Sequence, residues 1–187
     1  MQATKFQVKL YARAGHIELE KLVPVFHEWI RAKKIPDELL IDVADYTHVP
    51  QGPGVVLIGH QSDYYLDVAD DRPGLLYSRK RGFEGDLSAG IDDAFGRALR
   101  ACRLLEEDER LDFEFGTDEV LFRVLDRLAA PNEDATYATY EPVLKQVAKA
   151  FFGSAPTMRR LGSPREPFAV RISTGARGSV ADALAHH

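Results

Sequence analysis

The stretch VVLIGHQSDYYLDVADDRPGLLYSRKR, residues 55–81, decides how this chain folds. It opens on a short, wholly apolar run at 55–58, the pattern of a strand covered on both faces. Further on, Tyr64, Leu66 and Val68 alternate with Tyr65 and Asp67. Period two over that length marks a strand at 64–69 with one apolar face. Asp70-Asp71-Arg72-Pro73-Gly74 is a turn by composition. A third strand is expected at 75–80. Short, turn-rich connections between successive strands predict an antiparallel meander.

Upstream, Phe6, Val8 and Leu10 alternate with Gln7 and Lys9, which predicts a strand over 5–11. Gly15 breaks it, with His16 beside the break. Leu19, Leu22, Val23, Phe26 and Ile30 then recur at helical spacing, with Arg31, Lys33 and Lys34 in the last turn, where cations complement the helix dipole. Pro24 must kink that helix or mark the start of its second half. Trp29 falls off the apolar stripe, which makes it a candidate exposed interface anchor. Leu39, Ile41 and Val43 predict another strand over 39–46 before a turn at 49–54.

Downstream, Ile91, Ala94, Phe95, Ala98, Leu99, Cys102 and Leu105 form one helical stripe, so Cys102 reads as a small buried hydrophobe. A short strand is expected at 111–115. Thr117 resembles a helix cap followed by Asp118 and Glu119, with Val120, Leu121, Val124, Leu125 and Leu128 as the apolar face. A further helix carries Tyr140, Val143, Leu144, Val147 and Phe151, with Pro142 expected near its start. After a long loop at 153–167, Phe168, Val170 and Ile172 make the last strand.

The expected order is β-α-β-β-β-β-α-β-α-α-β. That is an α+β fold: a mostly antiparallel sheet with a three-stranded meander and helices packed mainly on one face. Residues 1–174 form one domain. Residues 175–187, small and polar, are expected to be a flexible or partner-docked tail. His186 and His187 end the chain in the manner of a purification-tag remnant.

The chain has 187 residues and a net charge of −5, from 29 acidic and 24 basic side chains. That balance argues against a nucleic-acid-backbone binder. No apolar run approaches the roughly 20 residues of a membrane span. A single cysteine excludes an internal disulfide and a multi-cysteine metal site, and the expected location is the reducing cytoplasm. There is no phosphate-binding G-x-x-x-x-G-K-[ST] loop, no G-x-S-x-G elbow and no H-E-x-x-H pair. His48 and His60 lie at opposite ends of the 55–58 strand, too far apart to share a metal. No cofactor and no metal site are expected.

The meander yields the candidate site. Its up-down-up course brings the tip at 60–63 to the sheet edge where the strand at 75–80 ends and the next helix begins. His60, Asp63, Arg79, Arg81 and Glu84 therefore converge by topology, with Lys80 and Asp86 beside them. An arginine fork and a helix N-terminus suit a carboxylate or phosphate. The bland alternative is a charged rim that neutralises itself. Tyr65 is expected across from Arg79.

Two functions remain open. The first is a soluble intracellular binding or adaptor protein that self-associates, resting on Trp29 and on sheet edges in need of cover. The second is a small-molecule enzyme or sensor for an anionic metabolite, its site formed by residues 60–63 and 79–86. In it, Asp63 or Glu84 would be the general base and His60 the acid. A concave pocket holding both His60 and Arg79 favours the second reading.

Overall fold

The computed structural model describes residues 3–14, 18–50, 52–175 and 178–187. Gly15 and His16 lie outside the described residues. The fold is α+β, with eight strands forming a single antiparallel sheet against which four helices pack. In chain order the elements are β1 (Phe6–Ala14), α1 (Leu22–Ala32), β2 (Leu40–Asp45), β3 (Val55–Gly59), β4 (Ser62–Asp67), β5 (Gly74–Arg79), α2 (Leu87–Glu106), β6 (Glu114–Val124), α3 (Asp134–Phe152), β7 (Thr157–Leu161), β8 (Phe168–Ser173) and α4 (Val180–His186).

Across the sheet the strands run β2-β3-β4-β5-β1-β6-β8-β7. The expected meander is present and includes β2. The pleat sorts its side chains. Phe6, Val8 and Leu10 of β1, Tyr64 and Leu66 of β4, and Leu75 and Tyr77 of β5 join the helices in one apolar core. Gln7, Lys9, Asp63, Tyr65, Asp67, Leu76 and Ser78 occupy the alternate positions, facing the other way.

Helix α1 begins two residues before its proline. Pro24 is the third helical residue, where a backbone N–H has no intrahelical partner to lose. Trp29 is buried rather than exposed, at 2% accessibility, with its ring edge-on to Phe26 at 5.3 Å. It cannot anchor a partner. A register shift between Leu40 and Asp42 turns Ile41 outward, leaving it 55% exposed where the alternation placed it in the core. Leu125, also expected in the core, is 38% exposed just beyond the end of β6.

Three segments differ from the expected order, the last of them the chain end, which carries α4. Residues 117–128 are not a helix: β6 runs from Glu114 to Val124 and pairs with both β1 and β8. Val120, Phe122 and Val124 enter the helix-side core while Leu121 lies buried on the opposite face. Covering both faces gives the run an apolar density that mimics helical spacing, and pairing on two sides outweighs local propensity. Thr117, read as a cap, instead donates to the Gly178 carbonyl at 2.7 Å. The second segment is the loop at 153–167, which contains edge strand β7, paired only to β8.

In α3, Pro142 sits mid-helix. Both it and Ala138, whose carbonyl loses its donor, are exposed, so water can take that carbonyl. The chain end packs on its own chain. Ser179 and Asp182 form a reciprocal capping box for α4, which buries Val180 and Ala183 against α2 and α3. The His187 ring stacks on Phe151 at 4.1 Å and bonds the Asp92 carboxylate at 2.9 Å.

Candidate functional site

The β3–β4 hairpin turns on two residues, His60 and Gln61, and the end of β5 lies against that turn. Ser62 pairs with Arg79, so Tyr65 faces Leu76 and not Arg79. The Gln61 carbonyl accepts from the Lys80 and Arg81 amides at 2.8 and 3.3 Å, and Arg81 Nε donates to the His60 carbonyl at 3.0 Å. The chain then runs through residues 80–86 into α2. Asp86 caps that helix by accepting from the Ala89 amide at 2.9 Å. This carboxylate already complements the helix end, so the dipole is less open to a ligand than expected.

His60, Arg79, Arg81 and Glu84 line one depression of about 470 Å³, together with Phe83 and Asp93. Asp63 is not among them. It alternates with Ser62 and Tyr64 and so faces the opposite side of the sheet. There it pairs with Lys80 Nζ at 2.7 Å and accepts from the Tyr65 hydroxyl at 3.3 Å. Burial and the Asp63 carboxylate push the Tyr65 hydroxyl up to about 12.

Arg79 dominates the depression. It is only 3% exposed, lies 5.4 Å from the Phe83 ring centroid, and bonds the Asp93 carboxylate. Phe83 can set the tip of its ring against α2 because Gly90 stands there; a Cβ would come within 1.9 Å of the ring. Asp93 also receives Arg97, whose Nε donates to both of its oxygens at 3.0 Å. Burial alone would pull the Arg97 guanidinium down, but Asp93 more than reverses this and holds it above its ordinary range. One carboxylate thus serves two guanidinium groups.

Behind this trio lie more polar side chains. Ser62 and Tyr77 share a hydrogen bond of 2.8 Å, and the Tyr64 and Tyr77 rings stand 5.4 Å apart. Burial raises the Tyr64 hydroxyl well above the ordinary phenol range, with Tyr77 and Glu38 adding to the rise and Arg97 opposing it. That hydroxyl lies beside Arg97 without forming an aligned hydrogen bond. Among the described residues, four buried side-chain polar atoms lack a hydrogen bond: Glu38 Oε2, Tyr64 OH, Arg79 Nε and Arg171 Nε. The last lies 3.4 Å from the Glu119 carboxylate. The other three gather around β4, β5 and α2, where a native structure would ordinarily satisfy them.

Asp93 and Arg97 escaped the sequence reading although they sit at i,i+4 spacing beside the apolar stripe of α2, with Arg100 continuing the row. Among the described residues, no group of three or more His, Cys, Asp or Glu side chains could hold a metal ion, and no helix is long and apolar enough to cross a membrane. No known protein-family model matches the chain, and no curated protein is detectably similar to it.

Proposed function

We propose that the chain binds a small anionic ligand, bearing a carboxylate or phosphate, in the depression between the β3–β4 turn and the start of α2. One observation carries the reading. Arg79, almost wholly buried, lines the depression with its Nε unpartnered, and its counter-ion Asp93 is shared with Arg97. Two guanidinium groups share the Asp93 carboxylate, and although Glu84 on the rim offsets Arg81, the buried Arg79 donor left over calls for an acceptor, best an anionic one. Arg81, on the exposed rim, supplies a second donor fork. Glu84 and His60 could serve as base and acid, but Asp63, on the far face, has no part in the site. Binding is therefore better supported than catalysis.

The test is thermal unfolding in phosphate, sulfate or citrate against chloride at matched ionic strength. A ligand at a hundredfold excess over its dissociation constant should stabilise the fold by about 2.7 kcal/mol. Arg81→Ala, an exposed change, should shrink that gain. Equal anion-dependent shifts in variant and wild type would reduce the cluster to a charged rim.

A second reading, self-association, keeps one support. The edge strand β2 and its flanks expose Leu39 at 68%, Ile41 at 55%, Tyr46 at 43% and Val49 at 40%. An unpaired apolar edge invites a second copy. Helix α4 packs on α2 and α3 of its own chain, so this reading draws no support from residues 180–186. Light scattering of wild type against Ile41→Lys tests this: a dimer lost in the variant supports it, and a wild-type monomer ends it.

A further inference from the structure

On the other side of Asp93 lies a second cavity, of about 390 Å³, between the α1–β2 connection, α2 and α4. Its make-up differs from that of the first. Ile35, Pro36, Ala101, Leu104 and Leu184 supply an apolar floor. Around the rim stand four cations, Lys34, Arg97, Arg100 and Arg103, against two carboxylates, Asp37 and Asp93. Arg97 is taken by Asp93, and Arg103 by Glu107 at 2.7 Å. Lys34 and Arg100 form no ion pair among the described residues, and both are exposed.

The cavity has a local cause. Arg97, Ala101 and Leu104 follow one face of α2 at i, i+4 and i+7, and Ala101 leaves a gap where a larger side chain would fill the space against Ile35. Leu184 of α4 closes the far side. The result is an apolar slot with Lys34 and Arg100 at its mouth, where Asp37 is the one carboxylate of the lining left to answer them and Lys34 also faces Asp108, so Arg100 carries the surplus charge.

We infer that this second cavity takes an amphipathic carboxylate: an acid group held by Arg100 and Lys34, with an aliphatic or aryl body laid on Ile35, Leu104 and Leu184. The charge surplus selects the sign of the ligand, and the apolar floor selects its tail. An anion without a tail would gain little from the floor, since each buried methylene adds about fourfold in affinity. A neutral molecule with the same tail would leave the surplus cation unanswered. The proposal stands apart from the phosphate- or carboxylate-binding role of the first depression, although the two cavities share Asp93.

Calorimetric titration of the full chain with octanoate tests it, with acetate and octanol as controls. Octanoate should bind at one site per chain and at least tenfold more tightly than either control. Arg100→Glu and Lys34→Glu, both changes of exposed residues, should each weaken octanoate at least tenfold, with circular dichroism confirming the fold. Arg81→Glu, at the rim of the first depression, should leave octanoate unchanged while weakening phosphate. The idea is overturned if octanol equals octanoate, if acetate equals octanoate, if both charge reversals are silent, or if octanoate fails to bind. A phosphate response lost with octanoate retained would sink the first site alone.

Discussion

Two buried ionic clusters lie on opposite faces of the same sheet, and they are built differently. On the face away from the helices, Lys9 meets Asp67 at 2.6 Å, with side chains only 4% and 11% exposed. Lys9 of β1 stands opposite Leu76 of β5 and reaches diagonally into the next row, where Gly74 on β5 leaves room beside Asp67 on β4. On the helix side, Arg79 and Arg97 converge on Asp93, which is 32% exposed, and Arg79 Nε is left over. The first cluster sets one ammonium against one carboxylate across the strands. The second has more cation than anion and opens on two cavities. Burial of charge is common to both, so burial alone does not mark a binding site. Surplus charge beside accessible space distinguishes the second.

The sharpest way to break this comparison is to remove one acid from each cluster. Asp67→Ala takes the carboxylate from the buried Lys9 ammonium and should cost about 3–5 kcal/mol in urea unfolding, with no recovery on adding phosphate. Asp93→Ala should cost less, about 1–3 kcal/mol, because its carboxylate is partly solvated. Phosphate should stabilise the Asp93→Ala protein more than wild type, since two guanidinium groups then lack a counter-ion. If phosphate rescues Asp67→Ala equally, the two clusters do not differ as described.

Gly90→Ala probes only the helix side. The new methyl group displaces the Phe83 ring from α2 and so from Arg79, at a loss of about 0.5–2 kcal/mol of cation–π attraction. Alanine's better helix propensity returns about 0.8–1 kcal/mol. The net stability change should be small, and the phosphate-dependent shift in melting temperature should fall. An unaltered phosphate shift would show that Phe83 does not shape the site.

The smallest effect belongs to the far face. The Tyr65 hydroxyl is raised to about 12 in the fold, from about 10 in an unfolded chain. A raised value means that the folded state holds the phenol's proton more tightly than the unfolded state. That contribution is intact below pH 10 and drains away as pH climbs through 12. Tyr65→Phe should begin slightly less stable at pH 8, having lost its bond to Asp63, but should lose less on going to pH 11. Tyr65 is partly exposed, which keeps the difference modest. Urea midpoints at the two pH values would show it.

Much of the fold could be read from residues whose local pattern and tertiary fate agree. Strands β1, β3, β4 and β5 alternate or run apolar between Gly- and Pro-rich turns, and helices α1 and α2 carry clean stripes. The failures occurred where pattern and fate part. Strand β6 carries Val120, Leu121 and Val124 at spacings a helix also uses, behind a threonine and two acids that look like a cap. Its position between β1 and β8 is a long-range fact that no local window contains. Strand β7, an edge element with Arg159 and Arg160 at its centre, has no apolar alternation to detect. The capping box of α4 was present in Ser179 and Asp182, but small residues masked it. At the site, hairpin topology sufficed to bring His60, Arg79, Arg81 and Glu84 together. Asp63 was misjudged because sharing a sheet edge is not sharing a face: inward Tyr64 and Leu66 force their neighbours outward. The Asp93–Arg97 pair required knowing which flank of α2 meets β5.

The central place of β1 has a consequence for how the protein is made. Strand β1, made before every other strand of this sheet, is paired on one side by β5 and on the other by β6. Its partner β6 is complete only at Val124, so for much of synthesis one rim of β1 offers unpaired amides beside Phe6, Val8 and Leu10. Such a rim is a template for unwanted strand pairing between nascent chains. Chains cut short after α2 should therefore aggregate more readily than the full chain.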